Sequence, residues 1–477
     1  MKDKIISAEK SFPSHQKSNR NRTHAHRKES QERKKSASLR RELFDESKIP
    51  SESKHIIDHF DDIVSSVRSL SGKQKVALYG KIKNLSHQLT DDRGSRRLGY
   101  MNEAASISAY ISYFMWWNLV RMTRLFANLP KSAFESLAHS EKPVALDVGS
   151  GTLTVVIALW LARPELRSKK INWYCLDLSQ TALSAGADLY LAIAAKTIKG
   201  ESLPLAPAGT PSSATPSAGT PRNAPPTNTE PWNIIRVKGA LGTSIKEKAD
   251  FISCANVFNE ILQRNEQPTD FLAKKYTGDL LSYLKNEDSS VLLVEPGDPH
   301  SARFISLMRD ALIRRDFLPV APCPHSAECP MAGRTHGRTT NAQGKNAKWC
   351  NFAFDAETAP NSLLKLSERA GLQKERASLS FVVAKNTRHS ELVSESDNAR
   401  NDEQNGEQSK TFIRIASDFI RLPDLHKSGY YACSRFGLLL AIDEHHIQPK
   451  NGELLQIKTP EFLDEIDQKS GALIVRI

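Results

Sequence analysis

From Pro143 onward, short apolar runs alternate with helical ones, and this alternation limits the possible folds more than any other feature of the chain. Residues 144–148, 171–178, 232–238, 250–255 and 291–295 read as strands. Residues 155–161, 181–198, 271–284 and 302–314 carry apolar side chains at helical spacing. Strands separated by helices need crossover connections, which build a parallel sheet covered on both faces. The expected class is therefore α/β. Residues 378–385 read as one further strand. Residues 413–421, 430–433, 436–442 and 473–477 suggest a small β-rich C-terminal part.

Upstream, residues 54–129 read as helical, in runs 55–67, 73–89 and 103–129. The last run is apolar around most of its girth, as a buried helix is. Its Tyr113, Trp116 and Trp117 are expected in the core rather than as a base-stacking platform. The run 104–120 is uncharged but short for a bilayer and interrupted by serines, so no membrane association is expected.

Charge is unevenly placed. The chain has 66 Lys/Arg against 54 Asp/Glu, a net of +12. Residues 1–50 alone hold 14 and 7, a net of +7. That segment has almost no apolar periodicity and is expected to be a disordered basic tail. Two further segments interrupt the α/β rhythm. Residues 201–231 contain eight of the 24 prolines, and residues 386–410 are polar without a period. Both are expected to be surface insertions. The expected division is thus a tail (1–50), a helical region (51–140), an α/β core (141–320), a cysteine segment (321–355) and a C-terminal part (356–477).

Four places carry chemistry. In Leu146-Asp147-Val148-Gly149-Ser150-Gly151-Thr152, small residues turn a strand end tightly into a helix, and Gly149 and Gly151 allow close ligand approach. Thr154 stands where a dinucleotide site has its third glycine, and Asp147 would repel a phosphate. The turn therefore points to S-adenosylmethionine, with its cationic methionine end. Asp147, Gly149, Ser150 and Gly151 are the expected contacts. Asp177, ending the second strand, is placed to accept from both ribose hydroxyls. Asn256, after the fourth strand, faces the crevice where α/β sheets bind ligands, as do Asn259 and Glu260. The fourth place is the set Cys323-Pro324-His325, Cys329-Pro330 and Trp349-Cys350, with Cys433 far downstream. Such thiolates hold zinc or an iron–sulfur cluster, and His325 and His336 keep the zinc alternative open. Cys175 and Cys254, inside apolar strands, are expected to be inert core residues.

Taken in order, the Leu146–Thr152 turn, Phe258-Asn259-Glu260-Ile261, Val294-Glu295-Pro296-Gly297, Ala321-Pro322-Cys323-Pro324-His325, Cys329-Pro330 and Trp349-Cys350-Asn351-Phe352 resemble a known family. It is the methyltransferase-like small-ribosomal-subunit family (Rsm twenty-two-like), typified by a yeast mitochondrial protein and its animal relative. The resemblance covers roughly residues 95–445 outside the insertions. It implies a class I, Rossmann-like methyltransferase fold that binds S-adenosylmethionine. It also implies a 4Fe-4S cluster on Cys323, Cys329, Cys350 and Cys433, and action on the small ribosomal subunit and its rRNA, in methylation, assembly or translation. A bacterial cytoplasm is the expected location, with the mitochondrial matrix as alternative, and the free protein is expected to be a monomer. Leu153 departs from the family pattern where a small residue is usual and is expected to crowd the methionine end. Asn351 replaces a usual histidine, and the spacing from Cys329 to Cys350 is lengthened. No catalytic base is assigned, because the sulfonium is already activated and alignment supplies most of the gain.

Overall fold

The computed structural model describes residues 40–90, 100–199, 230–332, 348–386, 410–423, 426–459 and 465–477. Most of the expected basic tail and of both insertions lies outside these, as does His336.

The central sheet contains β1 (Val144–Val148), β2 (Asn172–Asp177), β3 (Asn233–Lys238), β4 (Phe251–Ala255), β5 (Ser290–Pro296), β6 (Phe317–Ala321), β7 (Phe352–Asp355) and β8 (Arg376–Asn386). Its order is β3-β2-β1-β4-β5-β8-β6, with β7 also paired to β8. The strands from β1 to β5 pair in parallel, and β8 enters antiparallel between β5 and β6. Reversal of the order at β1 opens a crevice at the carboxyl ends of β1, β2 and β4, the usual ligand position in such sheets. An antiparallel strand slipped in beside a parallel set completes the class I methyltransferase arrangement implied by the sequence resemblance.

Every residue of β1 is buried, as a strand covered on both faces must be. One cover is α1 (Thr154–Ala162), whose nine residues are all buried and apolar around the axis. Another is α2 (Gln180–Lys199), where Gly186 lets the helix lie against the turn. A Cβ there would stand 2.4 Å from the Thr152 carbonyl carbon. On the far side, α3 (Pro299–Ile313) starts at Asp298, whose side chain accepts from the His300 and Ser301 amides, with Pro299 in the first turn.

The N-terminal helices differ from the sequence reading in two places. The run 55–67 is two helices, Ser51–Asp58 and Phe60–Val67, meeting at His59. The run 103–129 is two α-helices, Ala104–Ala109 and Trp116–Asn128, joined by a π-helical turn, Tyr110–Met115. Tyr113, Trp116 and Trp117 are core residues. Trp116 donates to the Ile57 carbonyl and Trp117 to the Ser367 hydroxyl. Ordered structure also begins before residue 50. Leu43 is buried and packs on Gly452, and Glu46–Lys48 form a 3-10 turn. The apolar Leu43 and Ile49 anchor a stretch that overall charge marked as tail.

The C-terminal part is a second sheet, of β9 (Lys410–Ile415), β10 (Ile420–Leu422), β11 (Lys427–Ser434), β12 (Gly437–Asp443), β13 (Leu454–Lys458) and β14 (Leu473–Arg476). These pair in the order β13-β9-β11-β12-β14, with β10 on β11. The inward residues Ile413, Ile415, Tyr430, Ala432, Leu439, Ala441 and Leu455 form its own core. Cys433 and Ala416 pack instead with Cys329, Met331, Ala332 and Phe352 in the main core. The cysteine residues are thus at the seam of the two sheets. Among the described residues no helix is long and apolar enough to cross a membrane.

Candidate cofactor crevice and thiol centre

The turn after β1 is held by its neighbour strand. Gly149 and Ser150 donate their amides to the Leu176 carbonyl at 2.8 and 3.1 Å. Gly149 has φ +68° and a Cβ there would fall 2.1 Å from Val257 Cγ2, so both conformation and space demand glycine. Gly151 also has positive φ, yet nothing lies within 4 Å of where its Cβ would be. The chain is therefore open to a ligand at Gly151 and closed at Gly149. Leu153 has φ +59°, an uncommon conformation for a branched residue. Its side chain is wholly buried beside Gly186 rather than crowding the crevice.

Asp147 is buried and accepts from Ser150 Oγ at 2.8 Å and Ser253 Oγ at 2.6 Å. Burial lifts its carboxyl to about 7, against the pull of those two hydroxyls. Asp177, half-buried, accepts from the Gly151 amide at 2.9 Å and the Ser179 amide at 2.8 Å, and burial also raises its pKa. Asn256 is half-buried with φ +58°, its amide donating to the Val294 carbonyl at 2.8 Å. The structure thus gathers Asp147, Gly149, Ser150, Gly151 and Asp177 about one turn, with Asn256 at the end of the adjoining β4.

Two groups beside the crevice have roles that the sequence reading did not assign. Glu295, at the end of β5, accepts from the amides of Val257 at 2.9 Å, Phe258 at 2.8 Å and Asn259 at 3.2 Å. It fixes the short helix Phe258–Ile261 that carries Asn259 and Glu260. Burial lifts its carboxyl to about 8. Tyr110, from the π-helical turn, lies close enough to Glu260 and Asp177 for their charges to help burial raise its phenol to about 12. π-helical turns inside α-helices are frequent at functional sites.

The thiol centre is assembled from separate elements. Cys323 and Cys329 follow β6, Cys350 precedes β7, and Cys433 lies on β11. An antiparallel bridge between Ala332 and Trp349, and the Cys350 amide donating to the Met331 carbonyl at 3.1 Å, close the base of the segment between them. Trp349 Nε1 ties it to the Gly297 carbonyl at 3.1 Å. The four thiols are electrostatic neighbours. Burial pushes those of Cys329, Cys350 and Cys433 up, and the charges of the other cysteines push further in the same direction. Such a set is deprotonated only when positive charge sits among it. Among the described residues, no three His, Cys, Asp or Glu side chains already converge as ligands of one ion.

Two buried arginines flank the thiols. Arg309, on α3, donates from Nε to Cys323 Sγ at 3.1 Å and from Nη2 to the His325 and Ala327 carbonyls at 2.8 Å. Although burial works against its charge, Cys323 and Cys329 raise its pKa further above normal. Arg414 stands opposite Cys433 in the β9–β11 register and donates to the Pro322 carbonyl at 2.7 Å and the Gly452 carbonyl at 2.9 Å. Burial lowers its guanidinium to about 10 while the thiols pull it back up. His325 is buried, with neither ring nitrogen hydrogen-bonded. Burial and the nearby Arg309 charge lower its imidazole to about 4. Cys175 and Cys254 are buried in β2 and β4, away from this set, with thiols raised well above normal by burial.

Residues 225–400 match the family model described as Rsm22, mitochondrial small ribosomal subunit. No curated protein matches the chain. Among solved structures, a putative class I S-adenosylmethionine-dependent methyltransferase from Listeria monocytogenes is 11% identical, with 71% of this chain and 88% of that chain covered and a TM-score of 0.28. A putative RNA methyltransferase from Pyrococcus horikoshii is 13% identical, covering 54% and 85%, at 0.24. A methyltransferase from Thiobacillus denitrificans, solved with S-adenosyl-L-homocysteine, is 15% identical, covering 54% and 90%, at 0.25. Scores this low add nothing to the strand order itself. Over residues 225–400, which include Asn259, Glu260, Glu295, Cys323, Cys329 and Cys350, the resemblance drawn from the sequence to the Rsm22 family is borne out.

Proposed function

We propose that the chain is an S-adenosylmethionine-binding protein of the class I methyltransferase fold that acts on the small ribosomal subunit and contacts its rRNA. The observation that carries this reading is a crevice open at Gly151 and bordered by Asp177, on a chain whose residues 225–400 match a small-subunit family. Asp177 would accept from the ribose hydroxyls, and Gly149–Gly151 would lie along the methionine end. Asp147 is enclosed by two serines, so its part is to shape the turn and supply charge from beneath it. When bound, S-adenosylmethionine supplies an activated methyl group. The chain then has only to align an acceptor, and Tyr110, Asn259 and Glu260 are the residues placed to touch one. The family description names a mitochondrial ribosome, which fits the mitochondrial matrix alternative better than a bacterial cytoplasm.

For the thiol centre we propose a thiolate-bound metal group, an iron–sulfur cluster of the 4Fe-4S type, supported by the four cysteines being electrostatic neighbours beside two buried arginines. Cys323, Cys329, Cys350 and Cys433 would hold it. Four thiolates around either such a cluster or one zinc carry a net negative charge, which the buried Arg309 and Arg414 would offset. Zinc remains the competing occupant. Anaerobic purification followed by iron, sulfide and zinc analysis separates them. Iron and sulfide in equal amounts, with a brown colour, are expected, and one zinc per colourless chain would overturn the cluster assignment.

A second reading, a non-catalytic assembly factor, is favoured by one observation. Asp147 and Glu295, two of the acids at the strand ends, are committed to serine hydroxyls and backbone amides. Cluster-intact protein incubated with labelled S-adenosylmethionine and immature small subunits distinguishes the two. Label in the rRNA supports the enzyme, and bound subunits without label support the factor.

A further inference from the structure

The crevice is not the only place built to receive a small molecule. A cavity of about 690 Å³ opens between the N-terminal stretch, the end of helix Trp116–Asn128, β6 and the edge of the C-terminal sheet. That volume is within the roughly 300–1,000 Å³ typical of ligand sites. Its lining contains none of Asp147, Gly149, Ser150, Gly151, Asp177 and Asn256. It does contain Cys323 and His325, so it abuts the thiol centre from outside.

The lining is strongly cationic. Arg41, Lys48, Lys131, Lys385 and Arg414 all border the cavity, against a single acid, Glu42. Glu42 is itself engaged by Lys450 at 2.9 Å. Lys385 is buried and held by Glu135 at 3.0 Å, and Arg414 is held by two carbonyls, so both are fixed in place. Lys48 and Lys131 are exposed at the rim. Between these cations the wall is apolar, with Leu129, Leu318, Leu454 and the ring of Phe412.

The second observation is His325. It is 94% buried, being only 6% exposed, it lines this cavity, and neither of its ring nitrogens closes a well-formed hydrogen bond, although the Ala327 backbone lies near enough to favour its charged form. A buried imidazole left unsatisfied costs free energy unless something within reach bonds to it. A ligand in the cavity would supply that partner. The ligand must therefore bring anionic charge for the lysines and arginines, a flat apolar body for the Phe412 wall, and a polar edge for the imidazole. A nucleobase joined through ribose to phosphate has all three.

We propose that this cavity is a nucleoside-phosphate site, separate from the S-adenosylmethionine crevice, in which the base lies against the apolar wall near His325 and the phosphate meets the Lys48–Lys131 rim. The same chemistry comes from a free mononucleotide or from one nucleotide of an RNA strand. The site does not depend on the methyltransferase reading.

The test uses metal-loaded full-length protein and calorimetric titration with the four 5′-ribonucleotides, the matching nucleosides, inorganic phosphate and a short ribo-oligonucleotide. A nucleotide is expected to bind saturably and more tightly than either its nucleoside or phosphate. Lys131→Glu and Lys48→Glu, both at exposed positions, are each expected to weaken binding about tenfold or more, the worth of a charged hydrogen bond. His325→Ala is expected to weaken the nucleotide more than phosphate. Metal content and Tm are measured for every variant, and the two rim variants keep the test decisive should His325→Ala lose metal. Tighter binding of the oligonucleotide assigns the source to RNA, and tighter binding of a mononucleotide assigns it to the free pool. Absence of saturable nucleotide binding, phosphate binding as tightly as nucleotide, indifference to both lysine reversals, or displacement by S-adenosylmethionine would each overturn the proposal.

Discussion

Asp147 is held in a chemical position that makes folding sensitive to pH. Its folded pKa, about 7, lies above the ordinary 3.8 because the charged form is poorly solvated. A carboxyl raised in this way binds its proton more tightly in the folded state. Its stabilising contribution is therefore complete below about 4 and is lost as pH rises through about 7. Glu295, raised to about 8, acts in the same direction over a slightly wider range. Denaturant unfolding between pH 5 and 9 is expected to show declining stability, and Asp147→Asn is expected to flatten that decline. An equal slope in the variant would remove Asp147 as its source. The neighbouring glycines offer a sharper contrast. Gly149→Ala meets both the left-handed conformation and Val257 and is expected to cost about 2 kcal/mol or more, whereas Gly151→Ala meets only the former, at about 1 kcal/mol. Thermal unfolding of the two variants checks the order. These residues were legible in the sequence because a strand end, a tight turn and a helix start are local. Glu295 was not, since the amides it accepts from are 36 to 38 residues away. Leu153 was misread because sequence order does not say that Gly186 leaves space for it.

At the scale of elements, the cysteine segment is the device that joins two sheets. Cys323, Cys329 and Cys350 come with the edge of the central sheet, and Cys433 comes with the second. A metal group held by all four would make its binding energy part of the folding energy. Cys433→Ser and Cys329→Ser are therefore both expected to release metal and to lower Tm by several degrees, and unchanged Tm with metal lost would show the seam to be held by packing alone. Arg309→Met, which removes the guanidinium beside Cys323, is expected to reduce metal retention while the central sheet stays folded, as read by metal content against far-UV circular dichroism. The five parallel strands and the helices between them were legible from periodicity, whereas the helix Asn361–Arg369 was not. Strand β6 was not, because Pro319 interrupts its pattern. Strand β13 was missed as well, lying in the second sheet with apolar residues at both Leu454 and Leu455. The break in the long helix at Tyr110–Met115 leaves no signal, since a π-turn uses the same apolar residues as the helix around it.

For the whole molecule, the opening division of charge changes at its edge. Residues 41–50 belong to the folded body through Leu43 and Ile49. Residues 1–39 hold 11 Lys/Arg and 4 Asp/Glu, a net of 11 − 4 = +7, so the basic excess lies ahead of residue 40. Basic segments bind RNA through counterion release, which makes affinity fall with salt. Removing residues 1–39 is expected to weaken binding to rRNA and to flatten its salt slope, with the metal content unchanged. Equal slopes would move the contact to the body, where Lys348 over Tyr431 and Arg435 over Phe436 stand near Cys433. The methyltransferase reading presupposes that the crevice at the strand ends takes its cofactor. Calorimetric titration of folded, metal-loaded protein with S-adenosylmethionine tests that most directly. One saturable site per chain, lost in a folded Asp177→Ala variant, is the expected result. No heat of binding from the intact protein, or undiminished binding in that variant, would contradict the account.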